Sequence, residues 1–143
     1  MKRMTLILGG VLAAGMALAH DGVQNPAVMA RMEAMKQIGG GMKVLAGMLK
    51  GEMTYDTAEA QAALDKIEEA VGRVPALFEA PESDPKSTAL PVIWENWEDF
   101  ESKIDALAKA SMGEITDEDS LKMAVSTLGG TCKDCHGDYR QKQ

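Results

Sequence analysis

Residues 121–139 read LKMAVSTLGGTCKDCHGDY and show the clearest helical pattern of the chain. Along this stretch, apolar, sulfur-bearing or aromatic side chains recur at steps of four, three, four, three and four, at Leu121, Val125, Leu128, Cys132, Cys135 and Tyr139. Such spacing places one stripe of side chains on one face of an α-helix. The pattern therefore predicts a helix that begins near Thr116 and carries both cysteines on its buried face.

A second segment with helical spacing lies near the start of the chain. It follows Asn25-Pro26, a capping residue and a first-turn proline, and stops at Gly51. The glycine triplet at 39–41 lies inside it, but the apolar register runs through the triplet unchanged, so we predict one continuous helix. The predicted core positions are Val28, Met35, Ile38, Met42, Leu45 and Leu49.

Two more helices flank a proline-rich connection. One is predicted to start at Asp56, whose side chain can cap it, and to end at Pro75. Residues 75–91 hold four of the five prolines and are typical of a long irregular loop. Pro91 then opens the other helix. The apolar positions of the two helices are Ala60, Ala63, Leu64, Ile67, Ala70, Val71 and Val74, and then Ile93, Trp97, Phe100, Ile104 and Leu107.

No segment alternates apolar and polar side chains in steps of two, so the sequence does not predict a sheet. Four amphipathic helices with mostly short connections pack most simply as an all-α, antiparallel, up-down-up-down bundle. We predict that residues 20–143 form this single domain. In that topology the start of the first helix, the long loop and the end of the fourth helix meet at one end, where the cysteines also lie.

The segment Cys132-Lys133-Asp134-Cys135-His136 has the C-x-x-C-H spacing of c-type haem attachment. Two thiols nearly one helical turn apart can each add to one vinyl group of a haem. The imidazole that follows the second thiol is then carried under the iron. The motif therefore predicts one covalently attached haem c, with His136 as an axial iron ligand.

Three other interpretations of these cysteines remain open. A thioredoxin-type pair should open a helix in a βαβ unit, whereas this pair lies near the end of a helix. A zinc site needs four ligands, and beyond these three residues only His20 or a carboxylate could serve. A structural disulfide would leave the adjacent histidine unexplained.

The first nineteen residues have the pattern of a cleavable signal peptide. Lys2 and Arg3 precede an apolar run that is too short to span a bilayer, and Ala17-Leu18-Ala19 suits a signal peptidase. Cleavage after Ala19 would change the net charge from −7 to −9. An acidic exported chain without a basic cluster is a poor partner for nucleic acid or for an anionic membrane, and no membrane insertion is predicted.

The chain resembles cytochrome c prime, the class II c-type cytochromes, which carry the haem motif at the C-terminus of four helices. The resemblance covers residues 20–143 and is most specific in four segments, RMEAMK at 31–36, MLKGE at 48–52, PVIW at 91–94 and GGTCKDCHGDYR at 129–140. It implies a periplasmic homodimer that transfers single electrons to an unidentified redox partner, or binds nitric oxide or carbon monoxide. It does not imply an enzyme.

The resemblance also implies functions for three further residues. Arg31 matches an arginine associated with a haem propionate, and Arg140 matches a basic residue close to the face on which histidine binds. Met35 matches the position opposite that histidine, where low-spin relatives use methionine as the sixth iron ligand. Because Arg31 lies on the predicted core stripe, its charge also needs a partner for physical reasons. Trp94 and Trp97 either contact the ring or fill the core, and for Trp97 the core position is favoured.

Two other functions are left as alternatives. A haem-dependent redox enzyme, such as a peroxidase or a nitric oxide reductase, would need a distal acid or base, and the core has no second histidine. An all-α binding module would have cysteines that are merely bonded to each other.

Overall fold

The computed structural model describes residues 22–142. Within that range it contains five helices, which are α1 (Pro26–Leu49), α2 (Thr57–Phe78), α3 (Val92–Glu95), α4 (Trp97–Ser111) and α5 (Glu118–Tyr139). No strand occurs in this part of the chain, and a lone antiparallel bridge joins Ala89 to Arg140. The signal peptide predicted for residues 1–19 lies outside the described residues.

The four long helices form an antiparallel four-helix bundle. Helix α1 packs on α2, α2 on α4, α4 on α5, and α5 on α1, which closes the ring. The core between them is apolar and includes Ile38, Leu45, Leu64, Ile67, Val71, Val74, Phe100, Ile104, Leu121 and Leu128. The all-α, up-down-up-down prediction is confirmed.

The helix starts follow the sequence signals. The Asn25 side chain accepts from the backbone N–H groups of Ala27 and Val28 at 2.8 and 3.2 Å. Asp56 caps α2 through the N–H of Glu59 at 2.7 Å. Helix α1 runs through the glycine triplet without a break and ends before Gly51, whose φ of +71° reverses the chain.

Helix α2 does not end at Pro75, so that boundary was predicted wrongly. Pro75 lies in the last turn, where a missing N–H and the clash of its ring with the preceding turn affect only one backbone bond. Val74 and Phe78 on either side of it are buried in the core. Tertiary packing therefore extends the helix to Phe78.

Two other expectations also need correction. The helix predicted from Pro91 is split at Asn96, whose φ of −122° and ψ of 48° are not helical. The Asn96 carbonyl still accepts from the N–H of Phe100 at 3.0 Å, so a new helix starts at once. Leu49 was predicted to face the core but is 41% exposed at the last residue of α1.

The loop between α2 and α3 is tied to both α1 and α5. The Asp84 carboxylate accepts from the N–H groups of Gln24 and Asn25, at 2.8 and 3.0 Å, just before α1 begins. The N–H of Leu90 donates to the carbonyl of Tyr139 at 2.9 Å, where α5 ends. These segments therefore meet at one end of the bundle, as predicted.

Candidate functional site

A cavity of about 600 Å³ opens at this end of the bundle, between α1 and α5. Its volume is within the range of about 300–1,000 Å³ that is typical of pockets for small molecules and cofactors. The lining is mainly apolar, and the loop and α4 contribute to it. The residues that line it include Val28, Met32, Met35, Ile38, Gly39, Met42, Phe78, Thr88, Ile104, Leu107, Cys132, Cys135 and His136.

Helix α5 supplies the reactive wall of the cavity. Cys132 and Cys135 are half-buried, are not joined by a disulfide, and line the cavity together with His136. Burial raises the pKa of the Cys135 thiol to about 11 and also raises the pKa of Cys132. Burial, helped by the charge of Arg140, lowers the pKa of His136. The imidazole is therefore neutral at neutral pH, which is the form that binds a metal.

An ion-pair cluster fixes this wall to α4. Lys103 Nζ lies 2.7 Å from a carboxylate oxygen of Asp134, between the two cysteines, and 3.1 Å from one of Asp138. The two carboxylates raise the pKa of Lys103. One turn further on, the hydroxyl of Tyr139 donates to Asp99 of α4 at 2.6 Å. These contacts hold the motif segment of α5 against α4.

Helix α1 supplies the opposite wall. Met32, Met35 and Met42 line the cavity from this side, together with Gly39. Met35 is half-buried and Met32 is 41% exposed. The structure therefore brings Met35 to the same cavity as His136.

Arg31 is almost completely buried and its guanidinium binds the end of α2. It donates through Nε to the carbonyl of Leu77 and through Nη1 to that of Glu82, both at 2.8 Å, and through Nη2 to that of Ala80. The guanidinium carbon also lies 4.8 Å from the centre of the Phe78 ring and 5.2 Å from that of Trp94. The partners that a buried cation needs are thus backbone carbonyls and aromatic faces.

The basic residues of the cavity are Arg31, Lys36 and Arg140, and none of its lining residues is acidic. This contrasts with the whole chain, in which 22 acidic residues outnumber 15 basic ones. Arg140 is half-buried at the end of α5, and its backbone bridges to Ala89. The cavity therefore favours a ligand that carries negative charge.

The tryptophans do not line the cavity. Trp94 donates its indole N–H to the carbonyl of Phe78 at 2.7 Å. It thus helps to hold Phe78, and both rings lie against the guanidinium of Arg31. Trp97 packs against Phe100, with ring centres 5.4 Å apart. The core position favoured for Trp97 agrees with this packing.

The sequence predicted that the loop lies at this end of the bundle, but it did not indicate which loop residues line the cavity. Ser87, Thr88 and Ala89 line the cavity because the loop pairs with the backbone at the end of α5. No residue type in the loop signals this pairing. Lys36 was also missed, although it follows Met35 directly.

A haem fits this arrangement. Two thiols and a neutral imidazole stand on one wall, thioethers on the other, and cations suited to carboxylates lie around them. Gly39 and Gly129 line the cavity from opposite helices, and a Cβ atom at either would have no heavy atom of the described chain within 4 Å. Neither helix therefore narrows the cavity with a side chain at these two positions.

The described residues do not support a zinc site, because no group of three or more His, Cys, Asp or Glu side chains in residues 22–142 is arranged to hold a metal ion. The same part of the chain has no helix whose length and apolar character would let it cross a membrane.

Comparison with known proteins identifies the family. The family described as Cytochrome C' matches residues 26–140. Cytochrome c-556 of Agrobacterium fabrum is 38% identical over 96% of this chain and 92% of its own. The structure of cytochrome c' from Rhodopseudomonas palustris is 38% identical and superposes with a TM-score of 0.76 over 84% of this chain and 99% of its own.

A more distant structure, the nitric oxide complex of a cytochrome c prime variant from Alcaligenes xylosoxidans, is 27% identical. It superposes with a TM-score of 0.72 over 81% of this chain and 94% of its own. The family match, the four-helix bundle and the C-x-x-C-H cavity agree with one another. This chain belongs to the cytochrome c' family and carries covalently bound haem c.

Proposed function

We propose that the chain is a periplasmic monohaem cytochrome that transfers single electrons and binds small gases. In this proposal Cys132 and Cys135 form the thioether bonds to the haem, and His136 is an axial iron ligand. The observation that carries the proposal is that these three side chains and three methionines line one cavity from opposite walls.

Met35 is the proposed sixth iron ligand. It lies on α1, across the cavity from His136, and it is more buried than Met32. A thioether ligand favours the reduced haem and raises its potential, which suits electron transfer. Met32 and Met42 line the same wall, so they are the controls that separate ligation by Met35 from a general effect of removing a thioether.

Small diatomic gases are the proposed ligands, nitric oxide and carbon monoxide in particular. Support comes from the relative of Alcaligenes xylosoxidans, whose structure holds nitric oxide. A gas that takes the sixth position competes with Met35 for the iron. The strength of the Met35 bond would therefore set the balance between electron transfer and gas binding.

Arg31 is proposed to bind a haem propionate through the two N–H groups that its three carbonyl bonds leave over. Arg140 is proposed to lie close to the face of the haem on which His136 binds. Both residues line the cavity, and carboxylates complement its basic lining. Arg31 has only a secondary part in this, because Leu77, Ala80 and Glu82 already accept from its guanidinium.

Residues of the α1 wall favour a carrier over a redox enzyme. The α1 side chains along the cavity are thioethers and aliphatic groups with Arg31 and Lys36, and no imidazole or carboxylate is among them. A peroxidase needs a distal acid or base to transfer protons. Turnover assays with peroxide and with nitric oxide test this, and turnover at enzymatic rates would contradict the carrier proposal.

Export after cleavage at Ala19 and assembly as a homodimer complete the proposal. Both rest on the sequence pattern and on the family, and the redox partner protein is not identified. Intact mass of protein recovered from the periplasm tests the cleavage site, and sedimentation of the haem protein tests the dimer.

The optical spectrum of the purified haem protein tests the function. We expect a low-spin ferric spectrum with a weak far-red band, which Met35→Ala abolishes and which Met32→Ala and Met42→Ala retain. A high-spin ferric spectrum of the wild-type protein at neutral pH would contradict ligation by Met35 and would shift the function toward gas binding.

A further inference from the structure

The three consecutive glycines of α1 face three different surroundings. Gly41 is buried against α2, where a Cβ atom would lie 2.5 Å from Cγ1 of Ile67. Gly40 borders a surface groove between α1 and α2, with Val44 and Lys66 among its neighbours. Gly39 lines the haem cavity. Only Gly41 is therefore required by helix packing.

A glycine inside a helix costs up to about 1 kcal/mol relative to alanine. At Gly39 no packing within the described chain explains this cost, because a Cβ atom there would have no heavy atom of residues 22–142 within 4 Å apart from its two chain neighbours and the adjacent backbone of its own helix. The position is open to the cavity and to solvent. The missing side chain thus enlarges the cavity instead of allowing two helices to approach.

The enlarged part of the cavity lies next to Met35. Residues four apart stand on the same face of a helix, so Gly39 is the neighbour of Met35 one turn further on. Helical side chains lean toward the N-terminus and cover the turn that precedes them. A side chain at position 39 would therefore lean over Met35, and its absence leaves that space free.

We infer that Gly39 provides the space that a small diatomic ligand needs on the Met35 side of the haem cavity. The flexible thioether of Met35 can move over Gly39 when the ligand takes its place, with no movement of the α1 backbone. The exchange breaks the bond to sulfur and forms the bond to the gas, and no electron is transferred. This inference rests on the proposed gas-binding function.

Gly39→Ala and Gly40→Ala are matched variants that test it. Both replace an exposed glycine of the same helix, both gain helix propensity, and neither new methyl group meets an atom of the described chain within 4 Å. Only the methyl group at position 39 enters the cavity. One additional methyl group in an apolar pocket changes binding by roughly 10-fold to 200-fold.

The measurement is carbon monoxide titration of the reduced haem protein, followed optically, with the ferric spectrum recorded for each variant. We expect Gly39→Ala to weaken carbon monoxide binding about tenfold or more, with Gly39→Leu weaker still, and Gly40→Ala to match the wild type. Equal affinity of Gly39→Ala, Gly40→Ala and wild type would overturn the inference, and so would a wild-type protein that binds no carbon monoxide.

The ferric spectrum separates this inference from the proposal on Met35. A high-spin wild-type spectrum, together with weaker binding in Gly39→Ala alone, would remove Met35 as a ligand and still support the space at Gly39. A low-spin spectrum that depends on Met35, together with equal affinities, would support electron transfer and overturn the space at Gly39.

Discussion

The guanidinium carbon of Arg31 lies 4.8 Å from the centre of the Phe78 ring, and three backbone carbonyls around the end of α2 accept from this guanidinium. Phe78 also lines the haem cavity. Arg31 thus connects α1 to the end of α2 and to the loop that borders the cavity. Its first function is to hold this end of the bundle together.

Replacing Arg31 should therefore destabilise the fold. Arg31→Met keeps most of the side-chain volume but removes three partly buried hydrogen bonds from a charged donor, and a hydrogen bond to a charged group contributes about 1.5–3 kcal/mol. We expect the free energy of unfolding to fall by about 3 kcal/mol in urea titrations of the haem protein. Arg73→Met is the control, because Arg73 is exposed on α2 and should change stability by less than about 0.5 kcal/mol. Equal losses of stability in Arg31→Met and Arg73→Met would show that Arg31 does not hold this end of the bundle together.

The close approach of α1 and α2 at Gly41 gives a second prediction. A methyl group at this position would lie 2.5 Å from Ile67 Cγ1 and 2.8 Å from the carbonyl oxygen of Ala63, so the helices must move apart. Overpacking of this kind costs about 1–3 kcal/mol, which exceeds the gain in helix propensity of up to about 1 kcal/mol. We expect Gly41→Ala to lower the melting temperature and Gly40→Ala to raise it. A higher melting temperature for both variants would show that α1 and α2 pack less tightly at Gly41 than these distances indicate.

Asp84 should make the protein sensitive to acid. Its carboxylate accepts from the N–H groups of Gln24, Asn25 and Lys86, and these bonds lower its pKa below the ordinary value of 3.8. Because the pKa is lower in the folded state, this stabilisation is present above the ordinary pKa and is lost as the pH falls through the folded value.

We expect Asp84→Asn to be less stable than wild type at neutral pH and to lose less stability between about pH 5 and about pH 2.5. Thermal unfolding at several pH values measures both effects. Glu79→Gln is the control, because Glu79 is exposed at the end of α2, just before the same loop. If the stability of wild type and of Asp84→Asn fell in parallel as the pH was lowered, Asp84 would not be the source of the acid sensitivity.

Tyr139 should make the stability of the protein sensitive to alkaline pH. Burial, together with the hydrogen bond to Asp99, raises the pKa of its hydroxyl from 10.0 to about 12. Its stabilising contribution is present below the ordinary pKa and is lost as the pH rises toward the folded value.

Tyr139→Phe removes this hydrogen bond and should cost about 1 kcal/mol at neutral pH. The difference from wild type should narrow above about pH 10, as measured by urea unfolding. The second tyrosine provides the control variant, Tyr55→Phe. A difference in stability between wild type and Tyr139→Phe that stays constant up to alkaline pH would show that the pKa of Tyr139 is not raised in the folded protein.

The sequence predicted those features that depend on periodicity and on local capping. The spacing of Leu121, Leu128 and Cys132 predicted α5, and Asn25 and Asp56 marked the starts of α1 and α2. The bundle and the haem motif followed from these patterns together with the family resemblance.

Features that depend on contacts between distant segments could not be predicted. Pro75 ended α2 in the prediction, but burial of Val74 and Phe78 extends the helix past it. The carbonyl partners of Arg31 lie about fifty residues away along the chain, and nothing in the local sequence indicates them. The different surroundings of Gly39, Gly40 and Gly41 likewise appear only when α1, α2 and the cavity are placed together.

Measurement of covalent haem on denatured protein tests whether Cys132 and Cys135 attach the cofactor. With cytochrome c maturation machinery present, we expect wild-type protein to show one haem per chain by intact mass and by haem staining of denaturing gels. Cys132→Ser or Cys135→Ser should reduce the stain, and the double variant should abolish it. A haem-stained band that survives the loss of both cysteines, or wild-type protein that carries no covalent haem, would contradict the account.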